Sequence, residues 1–110
     1  MNDSMQQSTV VTGVAKQMPV TASATTSRTL VDNEAVRVVV FAFDTGEQLT
    51  EHTASMPVVV WLLSGAMRFD VAGQSYELAV GDCVYLAPNE LHALEATEPS
   101  LLSLVMVRDR

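Results

Sequence analysis

The stretches GEQLTEH, residues 46–52, and GDCVYLAPNELH, residues 81–92, each run from a turn glycine to one of the chain's two histidines, His52 and His92. Glycine readily adopts the positive φ that reverses a chain. Each histidine lies at or near a segment that alternates like a β-strand. We therefore expect two sheet elements to bring both imidazoles into one interior.

The sequence around these stretches predicts an all-β domain. From Thr29 onward, short apolar or alternating runs are separated by Gly, Pro, Asn and Asp, a spacing typical of a sandwich or barrel. Residues 1–27 lack this rhythm and are predicted to be a flexible or partly ordered arm, and residues 28–110 the barrel domain. The predicted strands are residues 27–31, 36–43, 48–54, 58–64, 66–71, 74–80, 82–86, 91–95 and 101–107.

Composition narrows the class of protein. The 110 residues suffice for one domain. The net charge of -7 disfavours binding to nucleic acid or to anionic membranes. The longest apolar run, residues 57–63, is too short to span a bilayer, and the polar N-terminus lacks a secretory pattern, so we expect a cytoplasmic protein. Cys83, the single cysteine, is expected to be a buried, inert thiol.

Two spaced motifs carry a resemblance to a known family: Gly46-x5-His52-x-Ala54-x3-Val58-x6-Gly65 and Gly81-Asp82-x5-Pro88-x3-His92. They resemble the two motifs of small single-domain, RmlC-like cupins, and the resemblance covers about residues 35–107. It implies a double-stranded β-helix, or jelly-roll barrel. An unrelated β-sandwich is the alternative that the strand pattern alone leaves open.

The resemblance also implies a degenerate metal motif. In metal-dependent cupins the first motif supplies two His and one Glu, and the second motif supplies a third His. His52 and His92 match the first and last of these ligands, whereas Ala54 and Val58 stand where the second His and the Glu would be. Strand parity puts Gln48 on the face of His52. One hypothesis is therefore a single divalent ion, Mn, Fe, Ni, Cu or Zn, held by His52, His92 and Gln48.

A second hypothesis gives the histidines an organic ligand instead. Both imidazoles would hold the polar end of a small organic acid or an aromatic compound in a pocket with apolar walls. Strand parity makes Trp61 point away from that interior. A third reading makes the histidines hydrogen-bonded polar groups satisfied by water and neighbours. The predicted pocket residues besides the histidines and Gln48 are Val58, Val60, Leu62, Leu94 and Tyr85.

Three classes of function follow from these alternatives. The first is a sensory or otherwise non-catalytic small-molecule-binding cupin. The second is a divalent-metal-dependent enzyme of the dioxygenase or isomerase type, and the third is a structural or regulatory subunit. The sequence assigns no catalytic residue. Residues 58–63 are apolar on both strand faces, so one sheet face needs a cover, and we expect a homodimer.

Overall fold

The computed structural model describes residues 6–108, where the backbone forms nine strands and one short helix. This confirms the all-β prediction. No helix in this range is long and apolar enough to cross a membrane. In chain order the elements are α1 Val14–Gln17, β1 Thr25–Asp32, β2 Val36–Phe43, β3 Gln48–His52, β4 Val58–Ser64, β5 Met67–Val71, β6 Gln74–Leu78, β7 Cys83–Leu86, β8 His92–Ala96 and β9 Ser100–Val107.

The strands form two antiparallel sheets that face each other. The first has the order β1-β2-β9-β4-β7 and the second has the order β3-β8-β5-β6. Along the chain, β3, β5 and β8 lie in one sheet, whereas β4, β7 and β9 lie in the other. Strands that repeatedly change sheets close a jelly-roll barrel and bury the faces between the sheets. The sequence-based prediction of a jelly roll is therefore confirmed.

Alternation along β4 shows how the core is built. Val58, Val60 and Leu62 are at most 3% exposed and pack between the sheets. The neighbouring positions face outward, so that Trp61 is 44% exposed, as the parity argument predicts. Cys83, the first residue of β7, pairs with Trp61 of β4 and is exposed. The expected burial of the thiol is wrong, because the outward phase of an edge strand places this position on the surface.

The N-terminal segment covers part of the outer face of the five-stranded sheet. Met18, just after α1, is 6% exposed and packs with Val40, Ala42 and Leu101 in a second, smaller core. β1 begins at Thr25, so the last residues of the predicted arm belong to the sheet. Residues 1–5 of the arm and residues 109–110 of the barrel lie outside the described residues. The flexibility of the arm stays a prediction.

A tight crossing joins the two sheets between β4 and β5. Gly65 has φ +88°, and a Cβ at this position would lie 2.3 Å from the Pro99 carbonyl oxygen. The fully buried Ser100 hydroxyl lies 2.8 Å from the Glu98 carbonyl oxygen and accepts a hydrogen bond from the Ala66 amide at 3.2 Å. Only glycine satisfies both the positive φ and this close approach.

Candidate functional site

A partly enclosed chamber lies between the two sheets, among residues of β2, β3, β4, β5, β7, β8 and β9. Its volume is about 190 Å³. Among the described residues, the two imidazoles are the only polar groups in a wall otherwise made of aliphatic, aromatic and thioether side chains. The lining residues are Phe41, Leu49, His52, Ala54, Val58, Val60, Phe69, Leu86, His92, Leu94, Leu102, Leu104 and Met106.

The two histidines meet because β3 and β8 are neighbours. His52 lies directly opposite His92 in the register of these antiparallel strands. Their ring centroids are 4.1 Å apart with an interplanar angle of 61°. His92 is only 7% exposed and stacks on Phe69 with ring centroids 6.2 Å apart, whereas His52 is exposed. The expected convergence of the imidazoles is present, with His92 inside and His52 at the rim.

The backbone sets the hydrogen position on each imidazole. Nδ1 of His52 lies 2.9 Å from the carbonyl oxygen of Thr50, and Nδ1 of His92 lies 3.0 Å from that of Glu90. A carbonyl oxygen can only accept, so each Nδ1 carries the hydrogen and donates it. Nε2 is therefore the unprotonated nitrogen in each neutral ring, and within residues 6–108 it has no protein partner.

A β-bulge in β3 overturns the assignment of Gln48. Leu49 pairs with Leu94 and His52 pairs with His92, so two residues of β3 lie opposite one residue of β8. The extra residue reverses the alternation, and Leu49 rather than Gln48 shares the chamber with His52. Gln48 is exposed and pairs with Glu95. The structure therefore places Gln48 outside the chamber, because the bulge breaks the strict alternation that put it on the face of His52.

Two further predicted pocket residues also lie elsewhere. Tyr85 pairs with the outward-facing Val59, is 63% exposed and lines an open surface groove with Tyr76. Leu62 does face inward, but it packs in the solid core beyond the chamber. Val58, Val60 and Leu94 line the chamber as predicted from their parity. Sequence reasoning missed the remaining lining residues, including Leu49, which the bulge brings in, and Phe41 and Phe69, whose signal was the inward phase of β2 and β5.

No charged side chain lines the chamber in the described part of the chain. A charged cluster lies on the outer face of the second sheet, where Arg68 contacts Glu95 at 2.8 Å and Asp70 at 3.4 Å. Asp70 and Glu51 also line a separate surface pocket beside His92. The hydrogen bond with Glu95, followed by the charge of Asp70, raises the pKa of Arg68. These charges satisfy one another outside the barrel, so a polar ligand in the chamber has only the imidazoles as partners.

The donor set does not fit a first-row divalent metal. Such ions usually take three or four protein ligands. Within residues 6–108 no group of three His, Cys, Asp or Glu side chains is placed to hold an ion. Ala54 and Val58 line the chamber with methyl groups where a His and a Glu would complete the motif. Two imidazoles remain, without a carboxylate to offset the ion's charge.

The fold and the site together define a small jelly-roll barrel with an internal chamber that two histidines cap at one end. The family model Cupin_2, a cupin domain, matches residues 39–108. The chain therefore belongs to the cupin family, as its motifs suggested. No match was found among curated proteins.

Solved structures of related barrels support this assignment. A conserved protein of unknown function from Streptococcus pyogenes has a TM-score of 0.83 and 25% identity, covering 94% of this chain and 91% of that one. KdgF from Halomonas sp. has a TM-score of 0.76 and 19% identity, covering 87% and 93%. Salicylate 1,2-dioxygenase from Pseudoaminobacter salicylatoxidans has a TM-score of 0.73 and 15% identity, covering 84% and 29%. At the identities of the last two, the likeness shows the fold alone.

Proposed function

We propose that this cupin binds a small organic molecule in the chamber beneath His52 and His92 without a metal ion, as a sensory or otherwise non-catalytic domain. One observation carries the proposal: two imidazoles whose Nδ1 atoms face backbone carbonyls line a partly enclosed, otherwise apolar chamber. Pockets for small molecules combine apolar walls with a few polar groups that orient the ligand. The chamber has this composition.

The alternative, a divalent-metal-dependent dioxygenase or isomerase, draws on one feature only. The imidazoles are neighbours, with ring centroids 4.1 Å apart, and two ligands of one ion must lie close together. With Gln48 on the outer surface, no third ligand supports that arrangement among the described residues. We therefore favour the metal-free binder, and the cytoplasmic location stays a prediction.

Methyl-resolved NMR tests the proposal with a control built into β4. The wild-type protein is titrated with one-ring aromatic compounds at millimolar concentration. The methyl resonances of Val58, Val60 and Leu94 should shift because these side chains line the chamber. Val59 lies on the same strand but faces outward, and its methyls should not move. The absence of shifts at the three chamber residues, or equal shifts at Val59, would contradict the proposal.

A further inference from the structure

The chamber's size limits what it can hold. Its volume of about 190 Å³ is below the roughly 300–1,000 Å³ of pockets for drug-sized ligands. It is slightly larger than the roughly 150 Å³ apolar cavity that accepts benzene. A ring with one small substituent therefore fits the chamber, whereas a nucleotide or a sugar oligomer does not.

The chamber's walls favour an aromatic ring. Phe41 and Phe69 contribute aromatic surface, and Phe69 also stacks on His92 with an interplanar angle of 16°. Aromatic rings gain from offset or edge contacts with other rings beyond the area they bury. The aliphatic side chains of Val60 and Leu94 complete an apolar lining that offers no polar partner for the body of the ligand.

The histidines set the chemistry of the ligand's polar end. Because each Nδ1 donates to a backbone carbonyl, a neutral ring offers only the lone pair of Nε2. A bare acceptor requires a donor, such as a hydroxyl group. His92 is the imidazole with less access to water, because it is only 7% exposed, whereas His52 is exposed and can be hydrated. A ligand hydroxyl at His92 would give its Nε2 a hydrogen-bond donor.

A carboxylate fits this chamber less well than a hydroxyl. It carries a full charge into an apolar space, and desolvating a charge costs far more than desolvating a neutral hydroxyl. No Arg or Lys lines the chamber to compensate, since Arg68 lies outside and is already paired with Glu95. A carboxylate could be held only by a protonated imidazole, which would itself be desolvated at His92.

We propose that the ligand is a monocyclic phenol, or a one-ring aromatic compound with an equivalent hydroxyl, whose O–H donates to Nε2 of His92 while the ring packs between the walls of the chamber. This inference rests on the proposed function, because it names the ligand class of the same site. Nothing in it requires a metal or a covalent step.

Calorimetric titration of the full-length protein tests the inference with three probes, namely phenol, toluene and benzoate. Toluene replaces the hydroxyl with a methyl group at nearly the same size, and benzoate replaces it with a charged group. Phenol should bind about threefold to tenfold more tightly than toluene, the range expected for one neutral hydrogen bond. It should also bind more tightly than benzoate.

Two variants locate the hydroxyl. In the His92→Leu variant the preference for phenol over toluene should disappear. If that variant does not fold, the His92→Phe variant is measured in its place. Leu63→Ala, a change on the outer face, should leave the preference intact. Persistence of the preference without the His92 imidazole would overturn its assignment as the acceptor.

The outcomes also separate the two proposals. If toluene binds as tightly as phenol, or benzoate binds most tightly, the ligand class is wrong while binding in the chamber stands. If none of the three probes binds, both the ligand class and the proposed function are overturned. Tighter phenol binding in the wild type, lost with His92, supports both.

Discussion

Restoring the two missing motif residues should convert this chamber into a metal site. Ala54 and Val58 already line the chamber with His52 and His92. The double substitution Ala54→His and Val58→Glu would thus supply a third imidazole and a carboxylate from positions that face the same space. Three imidazoles and one carboxylate are a sufficient ligand set for Mn, Ni or Zn.

The expected change in the stability of the double variant has two parts, one without metal and one with it. Val58 is 3% exposed, so a carboxylate there is buried without a partner in the absence of metal and should destabilise the apo variant by several kcal/mol. A metal present at about 100 times its Kd then stabilises the folded state by about 2.7 kcal/mol. For a domain of this size, that raises the Tm by about 10 °C.

Differential scanning fluorimetry with and without Ni²⁺ or Zn²⁺ measures both parts. The wild type should show no metal-dependent rise in Tm, because its two imidazoles are too few ligands to hold an ion. A ligand stabilises only in proportion to its preference for the folded state. The matched control is Val59→Glu in an otherwise unchanged chain, because Val59 faces outward from the same strand and the chamber keeps only its two imidazoles. An equal metal-dependent rise in the wild type and the double variant would refute the reasoning that two imidazoles are insufficient.

Three further predictions concern the scaffold. Gly65→Ala should destabilise the fold by about 3 kcal/mol or more in urea unfolding, whereas Gly73→Ala, also at positive φ but in open space, should cost only about 1–2 kcal/mol; equal costs would contradict the close packing at Gly65. Hydrogen bonds from the Ser23 and Thr45 amides lower the pKa of Asp44 below its ordinary value of 3.8. Its contribution to stability is therefore present above about pH 4 and is lost as the pH falls through the lowered folded-state pKa. Asp44→Asn should flatten stability against pH in this acidic range, and an unchanged slope would contradict the assignment. The exposed apolar outer face around Trp61 should be covered by a second copy, so light scattering should give twice the chain mass of 11.9 kDa, and a monomer at micromolar concentration would be inconsistent with this prediction.

Much of the fold could be predicted because turn residues and alternation are local signals. The predicted ranges 36–43 and 58–64 coincide with β2 and β4. Parity along β4 also identified Val58 and Val60 as inward and Trp61 as outward. These assignments depend only on the phase of one uninterrupted strand.

The site residues were misplaced where strand alternation was interrupted, or where alternation alone could not locate a side chain relative to the chamber. The bulge between Leu49 and His52 shifts the alternation by one residue, and no turn residue marks it in the sequence. Gln48 was placed inside for that reason. Leu62 has the predicted inward phase, but only the three-dimensional packing shows that it lies beyond the chamber. Tyr85 was assigned to the pocket because of its position in a motif and not because of the direction in which its strand position faces.

Native mass spectrometry of tag-free protein, purified without a chelator, tests the central claim most directly. The account predicts a chain without a stoichiometric metal ion, and a complex of one phenol-sized molecule per chain when that compound is added. The His52 and His92 chamber would then act through its apolar walls and free imidazole nitrogens. One tightly bound Mn, Fe, Ni, Cu or Zn ion per chain would contradict the account.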